Sequence, residues 1–281
     1  MKRLTCALAL ALAMGLICGI AYADLADGLV AYWSFDSGTA KDDSGNGNKG
    51  TIIGEPRLVD GKVGKAFDFD GEDDGINVPS NPSLELPDAL TCAAWIYPRD
   101  VIGNAAGNDH AGICWKGNMI GWGSNAYNWR IATASAAGLT WGSCGSGTEG
   151  YFATANCFVD GLNTWYHVAL VEDGTVGTAY VNGVVLTAAD VTGGNMDPPR
   201  PPAPYDTWPD EPVRIGWSQG YNGAIGPDTD SYFDGIIDEV VLYNRALSAN
   251  EITELMNVGL PATAVEPADK LATTWALIKA H

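Results

Sequence analysis

The chain has 281 residues, a formal net charge of -19, and 46% hydrophobic but only 17% charged residues. That composition is globular and excludes a disordered polymer. The acidity disfavours phosphate backbones and anionic bilayers, so nucleic acid is not an expected partner. It suits divalent cations or neutral glycans, and equally a plain soluble extracellular surface.

In chain order, Lys2 and Arg3 precede an apolar run from Leu4 to Ile20, and Ala21-Tyr22-Ala23 follows with a small-x-small pattern. Residues 1–23 are therefore expected to be an export signal, and the protein secreted or displayed at the cell surface. The apolar run is short for a retained anchor, and no later stretch is long and apolar enough to span a bilayer. A domain is expected over residues 24–260, followed by a tail over 261–281.

Within that domain the pattern is β throughout. Leu29 to Phe35 is a β-prone run. Ala66-Phe67-Asp68-Phe69-Asp70 alternates apolar and acidic residues, as a strand with one wet face does. Leu90–Tyr97, Trp165–Glu172, Thr178–Asn182, Val213–Trp217 and Ile236–Tyr243 read alike. Asp173-Gly174 and Asn182-Gly183 are hairpin signals. Two segments read as insertions: 99–160, rich in glycine and tryptophan, and the proline-dense 196–212. Ser248-Ala249-Asn250-Glu251 is a capping box. Ile252, Leu255 and Met256 then share one helical face, and Gly259-Leu260-Pro261 ends it. Many strands and one short C-terminal helix predict an all-β, two-sheet antiparallel jelly-roll sandwich.

Beyond the export segment the cysteines are Cys92, Cys114, Cys144 and Cys157. An even number in an exported chain predicts disulfides, with three possible pairings. The spacing favours Cys144 with Cys157, leaving Cys92 with Cys114, and the alternative is buried free thiols. Zinc is not expected, because no CxxC pair occurs and only His110 and His167 lie within the domain.

The loop DDSGNGNKG (42–50) fails as a phosphate loop, because Lys49 precedes Gly50 and a β-type run rather than a helix. It also fails as an EF-hand, since the position due a bidentate glutamate is Ile53 and no helices flank it. In order, GLVAYWSFD (28–36), DDSGNGNKGTIIG (42–54), GKVGKAFDFDGEDDGINVP (61–79), LTCAAWIYP (90–98), WYHVALVEDG (165–174), AYVNGVV (179–185) and FDGIIDEVVLYNRALSANEI (233–252) resemble the laminin-G-like domains of the concanavalin A-like lectin/glucanase superfamily. The likeness covers about residues 27–258, with 99–160 departing from it. It implies a jelly roll whose first and last strands are neighbours. It also implies a structural Ca2+ where they meet, with Asp36, Asn48 and Asp238 as candidate ligands. Calcium takes six to eight oxygens in flexible geometry, which such a set could begin to supply. The alternative is a glycine-rich turn beside solvated acids.

A retaining glucanase of this fold would carry Glu-x-Asp-x-x-Glu on one strand, placing two carboxylates on one face. No such string occurs. His167 opens an apolar strand and reads as a packed core histidine. No Ser/His/Asp or Cys/His signature is present, so an enzyme is not expected. Binding is. Trp115, Trp122 and Tyr127 are interleaved with Lys116, Asn118, Asn125, Asn128 and Arg130. Aromatic faces stack on sugar C–H surfaces while amides and cations bond hydroxyls. These eight residues are the candidate contacts for a glycan. An extracellular protein partner is the other reading, and some of the aromatics could instead be core.

Overall fold

The computed structural model describes residues 25–100, 110–117, 129–134, 138–145, 148–153, 157–187, 204, 207, 209–219 and 231–260. The expected export segment and the 261–281 tail lie outside them.

The strands in chain order are β1 (Leu29–Trp33), β2 (Thr51–Ile53), β3 (Arg57–Asp60), β4 (Lys65–Asp70), β5 (Gly75–Val78) and β6 (Leu90–Pro98). Then come β7 (His110–Lys116), β8 (Trp129–Ala134), β9 (Gly138–Gly145), β10 (Thr148–Ala153), β11 (Tyr166–Glu172) and β12 (Gly177–Val181). The last are β13 (Val184–Val185), β14 (Val213–Ile215), β15 (Trp217–Ser218), β16 (Ser231–Tyr232) and β17 (Asp234–Tyr243), followed by helix α1 (Ala249–Val258).

The first sheet has eight strands, running β13-β12-β11-β6-β17-β4-β3, with β1 also paired to β17. The second has seven, β10-β9-β8-β7-β14-β5-β2, and β15 with β16 forms a small ribbon. The ladders are antiparallel. This is the expected two-sheet jelly roll, with the first and last strands side by side.

The alternating side chains of both sheets meet in one core. Trp33, Phe69, Cys92 and Ile237 from the first sheet face the layer of Ile76, Ile113, Ile131 and Trp141 from the second. The predicted hairpin at Asn182-Gly183 is a two-residue turn with φ of 51° and 75°. Both residues are left-handed, as a type I′ turn requires.

The outer face of the first sheet is also covered, because α1 lays Ile252 and Leu255 against Tyr32, Val241 and Tyr243. Ser248 caps the helix by accepting from the Glu251 N–H, while the Glu251 side chain accepts from the Ser248 N–H, as the capping box predicts.

Two expectations need correction. Residues 99–160 are not a decoration on the sandwich: they supply β7–β10, four of the seven strands of the second sheet. Ile131, Leu139 and Trp141 of this stretch are core. Their inward alternation is masked in sequence by glycines and small residues on the opposite face. The predicted wet face of β4 is not wet at Asp68, which is 5% exposed. Arg57 and Arg99 both bridge to its carboxylate.

Candidate functional site

The acids that the sequence set far apart converge where β17 changes partner. Its first half pairs with β4 (Ile237 opposite Phe67) and its second half with β1 (Val240 opposite Trp33). Between them the ladder with β6 shifts register from Asp238 to Val241, and Glu239 adopts a left-handed φ of 53°. Such a bulge re-aims side chains, here presenting two consecutive carboxylates to one edge.

The chain after β1 reaches the same place through Phe35, itself left-handed at φ 61° and buried against Phe67. Asp36 follows, and its Oδ1 accepts the Lys65 N–H at 2.7 Å. The turn between β3 and β4 closes the cluster. It is held by Gly61 N–H donating to the Gly64 carbonyl, and its Val63 N–H donates to Asp238 Oδ2 at 3.0 Å. A Cβ on Gly64 would collide with the Asp36 carboxylate, and one on Gly61 with that of Asp238.

The electrostatics are those of an undercompensated anionic pocket. Asp238 is fully buried and its Oδ1 has no hydrogen-bond partner. Burial pushes its carboxyl up to about 7, with nearby Asp36 adding to the rise against the backbone N–H groups of Val63 and Lys62. Burial likewise pushes Glu239 to about 8, although both its oxygens accept from the Tyr32 hydroxyl, at 2.8 and 2.9 Å. Several acids around one orphaned carboxylate oxygen cost free energy unless a cation or protons neutralise them. Asp36 and Asp238 beside a glycine-bearing turn suit a hard, oxygen-seeking cation.

Asn48 does not join them, which corrects the expected ligand set. Its Nδ2 donates to the Val30 carbonyl and its Oδ1 accepts from Ser83, so both side-chain functions are used within the fold. The 42–50 loop is organised from inside by Asp42, which accepts from the N–H groups of Tyr32, Ser44 and Asn48. It is a self-capped turn that clamps β1. Sequence reasoning also missed Tyr32, Glu239 and the Gly61–Gly64 turn, although the Asp238-Glu239 doublet and the paired glycines of GKVGK were visible signals. Elsewhere, Asp70, Asp73 and Asp74 bring carboxylate oxygens within 4.8 Å of one another, and oxygens of Asp70 and Asp74 accept backbone N–H groups of Glu55, Glu72 and Asp73 in a turn.

Of the eight expected glycan contacts, Asn118, Trp122, Asn125, Tyr127 and Asn128 lie outside the described residues. The other three are buried, which corrects the expectation of an open patch: Trp115 and Lys116 are fully covered and Arg130 is 3% exposed. Lys116 reaches the carboxylate of Glu85 at 2.8 Å and the Glu211 carbonyl at 2.7 Å. Burial lowers its ammonium and Glu85 pulls it back up.

Trp115 and Arg130 belong to a row across the second sheet: Asn77, Arg214, Trp115 and Arg130 are consecutive cross-strand partners. The Arg130 guanidinium lies 5.5 Å from the Trp115 ring centre, and that of Arg214 lies 5.2 Å from Trp217. Arg214 is further tied to Glu211 Oε2, Gln219 Oε1 and the Gly117 carbonyl. The row is built of sugar-site chemistry but is covered, with the β15–β16 ribbon packed over it through Trp217 against Gly75 and Gly112. Cys92, Cys114 and Cys157 are buried thiols, and the Cys144 side chain lies outside the described ones.

A sequence model of the Concanavalin A-like lectin/glucanases superfamily (Laminin_G_3) matches residues 70–253. The chain belongs to this family. No curated protein sequence matches it. Among solved structures it is similar to domain 4 of AbnA, a GH43 extracellular arabinanase of Geobacillus stearothermophilus solved with arabinotriose. That match has 22% identity and a TM-score of 0.55, covering 82% of this chain and 98% of that domain. It is also similar to the binding domain of Paraclostridial Mosquitocidal Protein 1 (22% identity, TM-score 0.58, 83% of this chain). A third likeness is to the binding domain of Botulinum Neurotoxin DC in complex with SialylT (14% identity, TM-score 0.55, 83% of this chain). The chain spans about half the length of those two toxin domains, 52% of each. At these identities the likenesses describe the fold.

Proposed function

We propose that this is an exported, non-catalytic carbohydrate-binding module stabilised by one structural Ca2+. The observation that carries the binding reading is the match over 98% of the arabinanase domain that was solved with arabinotriose. The absence of the paired-carboxylate strand motif from the sequence supports a binder over a hydrolase.

With Trp115, Lys116 and Arg130 buried at the ends of β7 and β8, our reading keeps Trp122 and Tyr127, which lie between those strands in sequence, for sugar stacking, with Asn118, Asn125 and Asn128 bonding hydroxyls. Affinity electrophoresis and calorimetry against soluble arabinan, glucan, galactan and sialylated oligosaccharides test this. Retardation by at least one of them is expected, falling at least tenfold in a Trp122→Ala/Tyr127→Ala variant that melts like the parent. No retention on any glycan overturns the reading, and binding that survives both substitutions moves the site elsewhere.

For the cation, Asp36 and Asp238 supply the carboxylates, and the ion would neutralise a pocket that otherwise favours protons. Calorimetric titration of metal-free protein with CaCl2 is expected to give one site per chain. That site is expected to be lost in Asp238→Asn; equal binding by this variant excludes it.

A further inference from the structure

Two Asn-Gly steps lie within the described residues, and no binding or metal reading uses either: Asn46-Gly47 in the 42–50 loop and Asn182-Gly183 in the β12–β13 hairpin. A glycine after asparagine offers a backbone nitrogen that no side chain hinders from reaching the asparagine Cγ. The fold treats the two steps differently. Asn46 and Gly47 are both exposed, and a Cβ on Gly47 would meet nothing within 4 Å. The Gly47 N–H has no hydrogen-bond partner among the described residues. The Asn46 side chain is held through Nδ2, which donates to the Leu29 carbonyl at 2.8 Å and the Val30 carbonyl at 3.1 Å. Asn182 and Gly183 are half-buried. Asn182 is bound to His167 twice, its Oδ1 accepting the His167 N–H at 2.9 Å and its own N–H donating to the His167 carbonyl at 2.8 Å. Gly183 is packed by α1, with Met256 Cε 3.3 Å from where a Cβ would stand.

We propose that Asn46 is a site of spontaneous deamidation in the folded protein, whereas Asn182 is protected. The Gly47 nitrogen gives up its proton and attacks Asn46 Cγ. The new C–N bond closes a succinimide ring, and the Cγ–Nδ2 bond breaks so that Nδ2 leaves as ammonia. Water then opens the ring at either carbonyl. Breaking the bond to Cγ gives aspartate, and breaking the bond to the backbone carbonyl carbon gives isoaspartate. In sum an amide and water become a carboxylic acid and ammonia, with no oxidation or reduction. The consequence falls on β1. A carboxylate replaces the Nδ2 donors, so the Leu29 carbonyl loses its side-chain donor, while the Val30 carbonyl keeps those of Asn48 and Ser44. A negative charge is also added to a loop that already carries Asp42 and Asp43. The loop then clamps the start of β1 less firmly.

The test keeps the full folded chain in mildly alkaline buffer beside a parallel sample in concentrated urea, so it depends on no glycan or cation. Both are mapped by peptide mass spectrometry. Deamidation is read from the mass gained as NH2 becomes OH, and isoaspartate from resistance to a protease that cuts before aspartate. In the folded sample Asn46 is expected to convert at least about tenfold faster than Asn182, and in urea, where both steps are open, the two rates are expected to converge. Equal or reversed rates in the folded sample, or conversion of Asn46 in urea alone, overturns the proposal. The deamidated species, separated by anion exchange on its added charge, is expected to melt roughly 2–4 °C below the parent, and so is Asn46→Asp. An Asn46→Asp variant that melts like the parent overturns the loss of the clamp, and the mapping stands even if that variant does not fold.

Discussion

At the scale of single residues, burial decides what each polar group does. His167 was read from its strand neighbours as a packed histidine, and it is one: 2% exposed, edge-on to Trp95 with ring centres 5.3 Å apart, its Nδ1 without a partner. Burial lowers it to about 4 from 6.5. The unfolded chain therefore binds more protons than the folded one between those values. The stability held by neutral His167 is complete above pH 6.5 and is lost as pH falls toward 4, by roughly 3 kcal/mol. Denaturant unfolding of the parent and of His167→Gln at pH 7 and pH 4 checks this. The stability difference is expected to shift by about that amount in favour of the variant at low pH. Asp36 and Asp238 were legible as partners through family likeness. Asn48 was misassigned because an amide in a glycine-rich loop satisfies backbone groups as readily as it ligates a metal, and only its neighbours Val30 and Ser83 decide which.

At the scale of elements, turns and caps were the most legible, because their chemistry is local. The Ser248–Glu251 box formed as read, so Ser248→Ala is expected to cost about 1 kcal/mol in chemical denaturation. Ile252→Ala, which strips a fully buried side chain from the face of α1 against the first sheet, is expected to cost 2–5 kcal/mol, roughly. The turn between β3 and β4 is more demanding. Gly64 has a φ of +52°, and the Asp36 carboxylate occupies the space a Cβ would take. Gly64→Ala is expected to destabilise by at least about 1–2 kcal/mol from backbone strain alone and to abolish calcium binding in the same titration. A variant that melts and binds like the parent would detach this turn from the cation site. The strands β7–β10 were hidden for the opposite reason: glycines and alanines erase the alternation that marks a half-buried strand. The set joins the rest of its sheet only through β7 pairing with β14, about a hundred residues away in sequence.

At the scale of the whole molecule, the feature that organises the site is the exchange of β17 from β4 to β1, which brings Asp36, Asp238 and Glu239 from opposite ends of the domain close enough to feel one another's charge. A cation bound there, as proposed, would hold both strand ends to the central sheet and so stabilise the folded state by mass action. The melting temperature in millimolar calcium is expected to exceed that in EDTA by roughly 5–10 °C at saturation near a hundredfold over Kd. No difference would remove the cation from the fold. The sequence alone determined the all-β class, the terminal helix with its cap, the hairpin at Asn182-Gly183 and the adjacency of the end strands. Each of these is carried by short-range periodicity, turn chemistry or a long family-like motif. Only the tertiary structure decided that Trp115 and Arg130 are covered and that the middle segment builds more than half of the second sheet. Those are properties of which surfaces two sheets present to one another, and that choice is made by packing between residues remote along the chain.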